Sequence, residues 1–382
     1  MNAELLVAHG NHYREINQPE QALNCYAQAF VQDFNNAHAW NNYGNVIREM
    51  GFPERSIPFL QQAAILNPDN ITTHFNLAVS YLLMGDYARG WPQYEWRWKY
   101  EHLNGTMPTH TQPRWTGQDL TNKTILVIGE QGHGDCIQFS RFILNLKNLG
   151  ANVLFQVTAP LVPVYQSSSA CSWVGSYLDN VPNFDYWVSI MSLPGILGVT
   201  VDSIPKVNNY IGVSAADTNL WNNRLGQKTK MRVGFCWSGR RDSWLNRHKG
   251  MPFEIMLDLI KSNPEYQWIS LQADAEPEYN LELLKNGVTI FPGTISSFKD
   301  TAGLISALDV VLSVDTAIAH LSGAIGRPTW IMLNHYAVDW RWLLHRDDSP
   351  WYSSARLFRQ PTLGDWHSVV QKVSKYLALF KI

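Results

Sequence analysis

The stretch LSVDTAIAHLSGAIGRPTW, residues 312–330, reads as strand, turn, helix, turn and strand. A strand followed by a crossover helix and a second strand is the unit from which right-handed parallel sheets are built. Three strongly polar residues, Asp315, Thr316 and His320, lie in the turn and the first helical turns among small apolar neighbours. A purely structural crossover does not need them, so the stretch also poses a question about binding.

The same alternation of apolar runs and amphipathic helices extends to both sides from residue 123. One series begins with TILVIG (124–129), a turn, a helix that ends at Gly150, and NVLFQV (152–157). A second series begins at MRVGFCWSG (231–239) and predicts further strands at 266–272, 288–291, 309–314 and 329–333. This pattern predicts two parallel sheets covered on both faces, with a cleft at the carboxyl ends of their strands.

The first hundred residues repeat at an offset of 34 positions. Small residues recur at one position, where two helices would approach closely: Gly10, Gly44 and Ala78. Sixteen positions later, larger residues recur that would fill the space between the helices: Tyr26, Leu60 and Tyr94. The pattern resembles the tetratricopeptide repeat, with AWNNYGNVIREMGFPERSIPFLQQAAILNP as its clearest copy. Such repeats either hold a peptide on their inner face or only brace the next domain. We expect Trp91, Trp96 and Trp98, at the end of the third repeat, to dock against the following domain.

Composition narrows the class of protein. The 382 residues are 45% hydrophobic and 16% charged with a net charge of −2, which is typical of a globular protein and gives no bulk attraction to nucleic acid or membranes. The four cysteines form no C-x-x-C pair, so neither a disulfide framework nor a zinc site is expected. The N-terminus lacks an apolar core and no apolar run could span a bilayer, so we expect a cytoplasmic location.

The turn GEQGHGD, residues 129–135, carries glycines spaced G-x-x-G-x-G rather than the dinucleotide fingerprint G-x-G-x-x-G. No acid follows the second strand, so NAD is disfavoured. The glycines allow close backbone approach and bring Asp135 to a helix N-terminus at the cleft. Asp135 is then either a helix cap or a general base that takes a proton from a hydroxyl.

A basic segment, WSGRRDSWLNRHKGMP (237–252), follows the first strand of the second series. It is either a solvated loop or a phosphate site, and its position after a strand's carboxyl end favours phosphate. Its charged candidates for phosphate binding are Arg240, Arg241, Arg247, His248 and Lys249, and Ser238 is a further candidate donor contact.

The polar residues of the opening stretch then fit the same ligand. Thr316 and His320 lie four positions apart and therefore share one helix face. The backbone N–H groups of that first turn could hold a diphosphate, and Ala317 leaves room for it. Asp315 could cap the helix or contact a sugar hydroxyl, and His320 taken alone would more often be structural.

The sequence lacks the motifs that are typical of several other reaction classes. The sequence has no G-x-S-x-G elbow, no phosphate-binding G-x-x-x-x-G-K-[ST] loop and no H-E-x-x-H motif. The metal-binding D-x-D pattern is also missing, and the nearest match, Asp274 and Glu276, is weak. The sequence therefore predicts no metal and no cofactor.

The segments GEQGHGDCIQFSRF, RVGFCWSGRRDSWLNRHKGMPF, SALDVVLSVDTAIAHLSGAIGRPTW and DWRWLLHRDDSPWY resemble bacterial tetratricopeptide-repeat glycosyltransferases. Their catalytic part is similar to the heptosyltransferase family, glycosyltransferase family 9. The resemblance implies a GT-B fold of two Rossmann-like domains and sugar transfer with inversion and without a metal. It places the family's D-[ST]-G-x-x-H motif on Asp315, Thr316, Ala317 (a glycine in the family) and His320. It further implies Asp135 as the catalytic base, Arg247 as the basic donor contact, and Asp274 or Glu276 as an acidic donor contact.

These observations predict a repeat solenoid followed by an α/β GT-B enzyme. The predicted parts are repeats at 1–104, a linker at 105–122, an acceptor domain at 123–228, a nucleotide-sugar domain at 229–362, and a helix at 363–382 that packs back across both halves. Expected partners are a nucleotide-diphosphate sugar, a glycan, lipopolysaccharide or protein acceptor, and a peptide or protein in the repeat groove. The alternatives are a non-catalytic repeat scaffold and an epimerase or phosphorylase of related fold. The sugar, the nucleotide, the acceptor and the oligomeric state stay open.

Overall fold

A computed structural model of the chain describes residues 2–99, 110–207, 209–239 and 249–380. These residues form two compact units. The first unit combines the described part of residues 1–109 with two later segments, 197–204 and 335–346. The second unit contains the remaining residues, which build two parallel sheets and their helices. The chain thus has a helical repeat region and an α/β region, as the sequence predicts.

The first unit is built from helices that each pack against the next one along the chain. Every second helix starts after an asparagine whose side chain accepts a backbone N–H, namely Asn2, Asn36 and Asn70. Caps of this kind satisfy amides that the helix itself leaves without partners. They also recur at the 34-residue offset. The helices are α1 (Ala3–Glu15), α2 (Pro19–Gln32), α3 (Ala37–Glu49), α4 (Pro53–Leu66), α5 (Ile71–Leu83) and α6 (Tyr87–Tyr94), followed by a 3-10 turn at Glu95–Lys99.

The predicted close approach of the paired helices is confirmed in the first two repeats. A Cβ atom on Gly10 would lie 2.4 Å from the ring of Tyr26, and one on Gly44 would lie 2.8 Å from Cγ of Leu60. Real Cβ atoms do not come so close to a neighbour, so any larger residue at either position would push the paired helices apart.

Residues 335–346, which follow the fourth strand of the second sheet, belong to the repeat unit. The Tyr336 hydroxyl donates to the carboxylate of Glu49 at 2.7 Å, and the Ala337 N–H donates to the Glu49 carbonyl at 2.8 Å. Arg14 donates to the same carboxylate at 2.8 and 2.5 Å, and Arg48 lies 3.7 Å away. The Glu49 side chain is only 1% exposed. The two hydrogen bonds from Tyr336 and Ala337 tie the later segment to Glu49, whose buried charge Arg14 and Arg48 balance.

Trp91 packs against both later segments of the first unit. Its indole N–H donates to the Val199 carbonyl at 2.9 Å, and its ring meets that of Trp340 edge-on at 5.5 Å. Trp96 instead stacks on His74 at 3.7 Å within the third repeat, and Trp98 is buried. Trp91 is therefore covered by segments that follow the repeats in the chain but belong to the same compact unit, whereas Trp96 contacts the third repeat itself. Docking of Trp98 against a following domain stays a prediction.

The first sheet has the strand order β3-β2-β1-β4, and all its pairs are parallel. Part of the predicted linker packs beside it, since Trp115 is buried and Arg114 forms a parallel bridge to Trp187. The predicted long helix after β1 is split in two by a 3-10 turn at Ser140–Phe142. The elements are β1 (Thr124–Ile128), α7 (His133–Phe139), α8 (Ile143–Asn148), β2 (Asn152–Val157), α9 (Val162–Tyr165), β3 (Trp173–Ser176), β4 (Tyr186–Ser189), α10 (Leu193–Ile196) and α11 (Ala215–Leu225).

The second sheet has the order β6-β5-β7-β8-β9, again parallel throughout. Its elements are β5 (Arg232–Cys236), α12 (Phe253–Lys261), β6 (Gln267–Ser270), α13 (Pro277–Lys285), α14 (Phe298–Ser306), β7 (Val310–Val314), α15 (Ala317–Ile325), β8 (Thr329–Leu333), β9 (Ala355–Arg359) and α16 (Trp366–Leu379). The bounds of α15 and β8 agree with the sequence prediction.

One predicted strand is wrong, and the predicted position of the last helix is tested only for one sheet. Of residues 288–291 only Thr289 pairs, through a single bridge to Ile269, because Pro292 and Gly293 turn the chain away at once. The buried side chains of α16 belong to the core of the second sheet. Packing of α16 across both halves therefore stays a prediction.

Each sheet has one point where the strand order reverses, and ligands of open parallel sheets bind outside the carboxyl ends of strands at such a point. In the first sheet this point lies between β1 and β4, and the turn at 129–132 follows β1. In the second sheet it lies between β5 and β7, which are followed by Ser238 and by Asp315. The sequence-predicted residues therefore collect where the topology places a site.

Candidate functional site

The site is built around the first turn of α15. Thr316 is the N-cap residue, and its Oγ1 accepts the Ile318 N–H at 3.3 Å while lying 3.0 Å from the hydroxyl of Ser313. The helix ends at Gly326, whose φ of +81° is a left-handed conformation that suits glycine. The cap fixes the start of the helix at the carboxyl end of β7. The positive end of the helix dipole therefore lies at the switch point.

Asp315 holds two positively charged or chargeable groups beside that helix end. Its Oδ2 is 2.6 Å from Nζ of Lys249, and its Oδ1 is 3.8 Å from Nε2 of His320. The three side chains are only 6%, 19% and 7% exposed. Because water screens such buried charges weakly, the lysine charge acts strongly on any group that enters here.

His320 is fixed from its other side by Tyr352. The ring Nδ1 lies 2.9 Å from the Tyr352 hydroxyl, and both residues are buried. Tyr352 can come this close because Gly323 has no side chain; a Cβ there would lie 2.5 Å from its ring. The imidazole therefore has one fixed orientation, with Nε2 toward Asp315.

The first turn of α7, from the first sheet, packs on the first turn of α15. A Cβ on Gly134 would lie 2.8 Å from Cδ2 of His320 and 3.4 Å from Cα of Ala317. Asp135, the next residue, is half-buried, and its Oδ2 accepts the Gly132 N–H at 2.8 Å. Asp135 thus acts as a cap of its own helix, and it stands one residue from the contact with His320.

The end of β5 is held to the end of β6 by Gln272. Its side-chain oxygen accepts the Ser238 N–H at 3.2 Å, and its Nε2 donates to the Ser238 carbonyl at 3.0 Å and to Oδ1 of Asp274 at 2.6 Å. Cys236 Sγ lies 3.3 Å from the same oxygen, and burial raises the pKa of its thiol to about 12. Gly239 lies beside Thr316, with 3.5 Å between a Cβ built there and the Thr316 methyl.

Several predicted site residues are therefore brought together, and others are not described. Asp135, Asp315, Thr316, Ala317 and His320 share one locality, and Ser238 and Asp274 are linked through Gln272. Glu276 is exposed and directly precedes α13. Arg240, Arg241, Arg247 and His248 lie outside the described residues, so their roles stay predictions. Within the described ranges, no three His, Cys, Asp or Glu side chains are grouped as metal ligands.

Lys249 is one of the basic residues that the sequence marks for phosphate binding, but its pairing with Asp315 depends on folding. Two other contributors were not among the predicted site residues. Gln272 could have been found, since it follows β6 at the same edge of the sheet as the predicted residues. Tyr352 follows no strand end and carries no periodic signal, so its contact with His320 is visible only in three dimensions.

Chemically, the described site can hold an anion next to a carboxylate. A helix N-terminus, an ammonium group and an imidazole converge on one side, which is the arrangement that favours phosphate groups. A carboxylate stands one residue from their contact with the neighbouring helix.

No protein-family model matches the chain. Protein FlbA of Caulobacter vibrioides is 26% identical over 433 residues, which cover 96% of this chain and 71% of that protein.

The structural neighbours include family 9 heptosyltransferases over about two thirds of the chain and tetratricopeptide-repeat proteins over its N-terminal quarter. E. coli ADP-heptose lipopolysaccharide heptosyltransferase II is 15% identical, covers 67% of this chain and 98% of its own, and has a TM-score of 0.47. A glycosyl transferase family 9 protein of Veillonella parvula is 11% identical over 68% of this chain and 92% of its own, with a TM-score of 0.49. The tetratricopeptide-repeat domain of Arabidopsis OM64 is 16% identical, covers 26% of this chain and 83% of its own, and has a TM-score of 0.25. Because one fold hosts many chemistries, these likenesses do not assign an activity.

Proposed function

We propose that this chain is a metal-independent, inverting glycosyltransferase that moves a sugar from a nucleoside-diphosphate sugar to a hydroxyl of a glycan or protein acceptor. In this proposal the fold is GT-B, with the acceptor on the first sheet and the donor on the second. The observation that carries it is the packing of the first turn of α7, with Asp135, against the first turn of α15, with His320. A base and an anion site at that distance suit attack by a hydroxyl on an activated sugar.

The donor half of the proposal rests on charge. Lys249 is paired with Asp315 at 2.6 Å. A diphosphate at the N-terminus of α15 would offer Lys249 a second partner and would meet the amides of the first turn. His320, held by Tyr352, would face the same group with Nε2. These contacts stabilise negative charge that grows on the diphosphate as the bond to the sugar breaks.

In the reaction that we propose, Asp135 accepts the proton of the acceptor hydroxyl. The acceptor oxygen then bonds to the anomeric carbon from the face opposite the diphosphate. The bond between that carbon and the diphosphate oxygen breaks, and the nucleoside diphosphate leaves with the electron pair. The configuration at the carbon is inverted, and the proton stays on Asp135 until solvent removes it.

A cytoplasmic location belongs to the same proposal. The four cysteines, Cys25, Cys136, Cys171 and Cys236, are all free thiols, which suits a reducing compartment. Among the described residues, no helix has the length and apolar character that crossing a bilayer requires.

The test separates the two roles of Asp135. In Asp135→Asn the amide oxygen can still accept the Gly132 N–H, so the helix cap persists while the proton acceptor is lost. We expect Asp135→Asn to lower sugar transfer by about 10²- to 10⁴-fold, the usual share of general-base catalysis, with donor binding unchanged in calorimetry. Transfer by Asp135→Asn at the wild-type rate, together with a loss in Asp135→Ala, would mean that Asp135 is only a cap.

Donor binding is tested first and separately. The chain is titrated with ADP, GDP and UDP, and in parallel His320→Ala is titrated with whichever nucleotide binds. We expect binding of at least one nucleotide and a weaker affinity in His320→Ala. Binding of none of the three would favour the non-catalytic scaffold, and turnover of a nucleotide sugar without an acceptor would favour an epimerase or phosphorylase.

A further inference from the structure

A cavity of about 310 Å³ lies in the second unit, away from the residues described above. Its walls come from the 3-10 turn after α7, the loop after α9 and the chain around Asn209–Gly212. Hydroxyl and amide groups are frequent in these walls, and the described lining residues include an arginine but neither Asp nor Glu: Ser140, Arg141, Tyr165, Ser168, Asn209 and Tyr210. The cavity thus combines hydrogen-bonding groups with one positive charge.

That charge is buried and not neutralised. Arg141 is 2% exposed, and its guanidinium donates to the carbonyls of Trp351 and Pro205. Its Cζ lies 5.0 Å from the ring centre of Tyr210 and 5.2 Å from that of Tyr352. Within the described part of the chain, Nε has no hydrogen-bond partner and the guanidinium has no carboxylate partner. Burying a cation without a counter-charge is strongly unfavourable.

A second buried arginine shows what a purely structural one looks like in this fold. Arg232 is also 2% exposed, and its Nε, Nη1 and Nη2 donate to oxygens of Gln267, Asn222 and Gly226. Each guanidinium nitrogen of Arg232 has an oxygen acceptor, whereas Nε of Arg141 has none in the described part of the chain and a cavity adjoins that side chain.

A second cation stands beside the cavity. Nζ of Lys147 donates to the carbonyl of Ser169, which lies with Ser167 and Ser168 in a loop of the cavity wall. The loop is thus held by an exposed lysine, whose charge water screens, so that the buried Arg141 supplies the main positive charge at the cavity.

We infer that this cavity is a binding site for a small anion of about the size of one monosaccharide, carrying one carboxylate or phosphate group together with hydroxyl groups. The buried positive charge of Arg141 selects the anion, and the serine, asparagine and tyrosine side chains recognise the hydroxyls. Its volume lies at the lower end of the usual range of about 300–1,000 Å³ for ligand sites, which is too small for a nucleotide sugar. The inference does not depend on the proposed transferase activity.

The site has a direct structural path to the region of the donor. The ring of Tyr352 lies against the Arg141 guanidinium, and its hydroxyl holds His320. A ligand that draws the guanidinium toward the cavity would change what Tyr352 packs against. Occupancy of the cavity would therefore alter the orientation of His320.

The experiment uses three sugars with the same ring and different charge: glucuronate, glucose 6-phosphate and glucose. Each is titrated by calorimetry into the full chain and into three variants. Arg141→Gln removes the charge. Leu144→Trp adds bulk at a cavity-lining residue that is 39% exposed, and so keeps Arg141 in place if the first variant fails to fold. Leu178→Trp makes the same change at a residue that is 96% exposed and outside the cavity.

We expect at least one of the two anions to bind with a stoichiometry of one and glucose not to bind. Affinity should fall at least tenfold in Arg141→Gln and in Leu144→Trp, and it should be unchanged in Leu178→Trp. Binding of glucuronate but not glucose 6-phosphate, or the reverse, tells whether a carboxylate or a phosphate is recognised. The inference is overturned if neither anion binds, if glucose binds equally well, or if Leu144→Trp binds the anion as tightly as wild type. Nucleotide binding in the same samples is read independently.

Discussion

Replacing Glu49 by glutamine should loosen the first unit while leaving the second intact. Glutamine has nearly the same shape as glutamate, so packing is kept and only the negative charge is removed. Arg14 and Arg48, with side chains 27% and 11% exposed, would then lose the buried carboxylate that they share. Removing one partner of a buried ion pair costs about 3–5 kcal/mol. Because water partly screens Arg14, we expect a value near the lower end, about 3 kcal/mol.

The assay is hydrogen–deuterium exchange followed by mass spectrometry, because it reports each unit separately. When exchange follows local opening, about 1.4 kcal/mol corresponds to a tenfold change in rate, so about 3 kcal/mol predicts roughly hundredfold faster exchange. The increase should be confined to α3 and residues 335–346, and peptides from α15 serve as the internal reference. The matched control is Glu54→Gln, the same change at an exposed position. Exchange that rises no more in Glu49→Gln than in Glu54→Gln would refute a stabilising role for the buried carboxylate.

Three further predictions concern the same regions. Acid should destabilise the first unit through Glu49. Burial raises the pKa of its carboxyl, but the hydrogen bond and charge of Arg14 lower it, as do Arg48 and Tyr336. These interactions outweigh burial, so the pKa lies below its usual range. Its contribution is therefore complete above the ordinary carboxyl pKa and is lost as pH falls through the lowered folded-state value, so acid-induced exchange in α3 should lose this component in Glu49→Gln. Gly134→Ala should weaken nucleotide affinity at least tenfold in calorimetry, because the new Cβ would lie 2.8 Å from His320; Gly212→Ala, whose Cβ meets nothing within 4 Å, should bind normally. Gln272→Ala should lower nucleotide affinity about tenfold by releasing two hydrogen bonds to Ser238, each worth about 1 kcal/mol, and an unchanged affinity would show that the bridge is only structural.

Local signals were sufficient for much of the fold. The bounds of α15 agree with the sequence because capping by Thr316 and the left-handed turn at Gly326 act within a few residues of the helix. The repeats were recognised because close packing of Gly10 on Tyr26 demands a small residue at a fixed spacing. The strand at 288–291 failed for the opposite reason. A short apolar run suits a strand, but Pro292 and Gly293 allow it only one bridge.

The candidate site was predicted in its parts and not in its connections. Strand ends and a helix start marked Asp135, Asp315 and His320 from sequence alone. The pairing of Lys249 with Asp315 joins residues 66 positions apart, and that of His320 with Tyr352 joins residues 32 apart. Such contacts depend on how the strands are ordered and not on a local pattern, so composition and periodicity carry no trace of them.

The makeup of the first unit has a consequence for how the chain is made. Its repeats leave the ribosome first, yet their buried Glu49 acquires Tyr336, and Trp91 acquires Trp340, only after nearly all of the second sheet has been synthesised. During synthesis the repeats therefore lack these contacts until the later segment has left the ribosome. A deletion of the repeats would leave the side chains of Tyr336 and Trp340, which follow β8 in the sequence, without their partners Glu49 and Trp91. The first unit is thus completed by residues that lie far apart in the sequence, and the repeats alone do not contain all of its buried contacts.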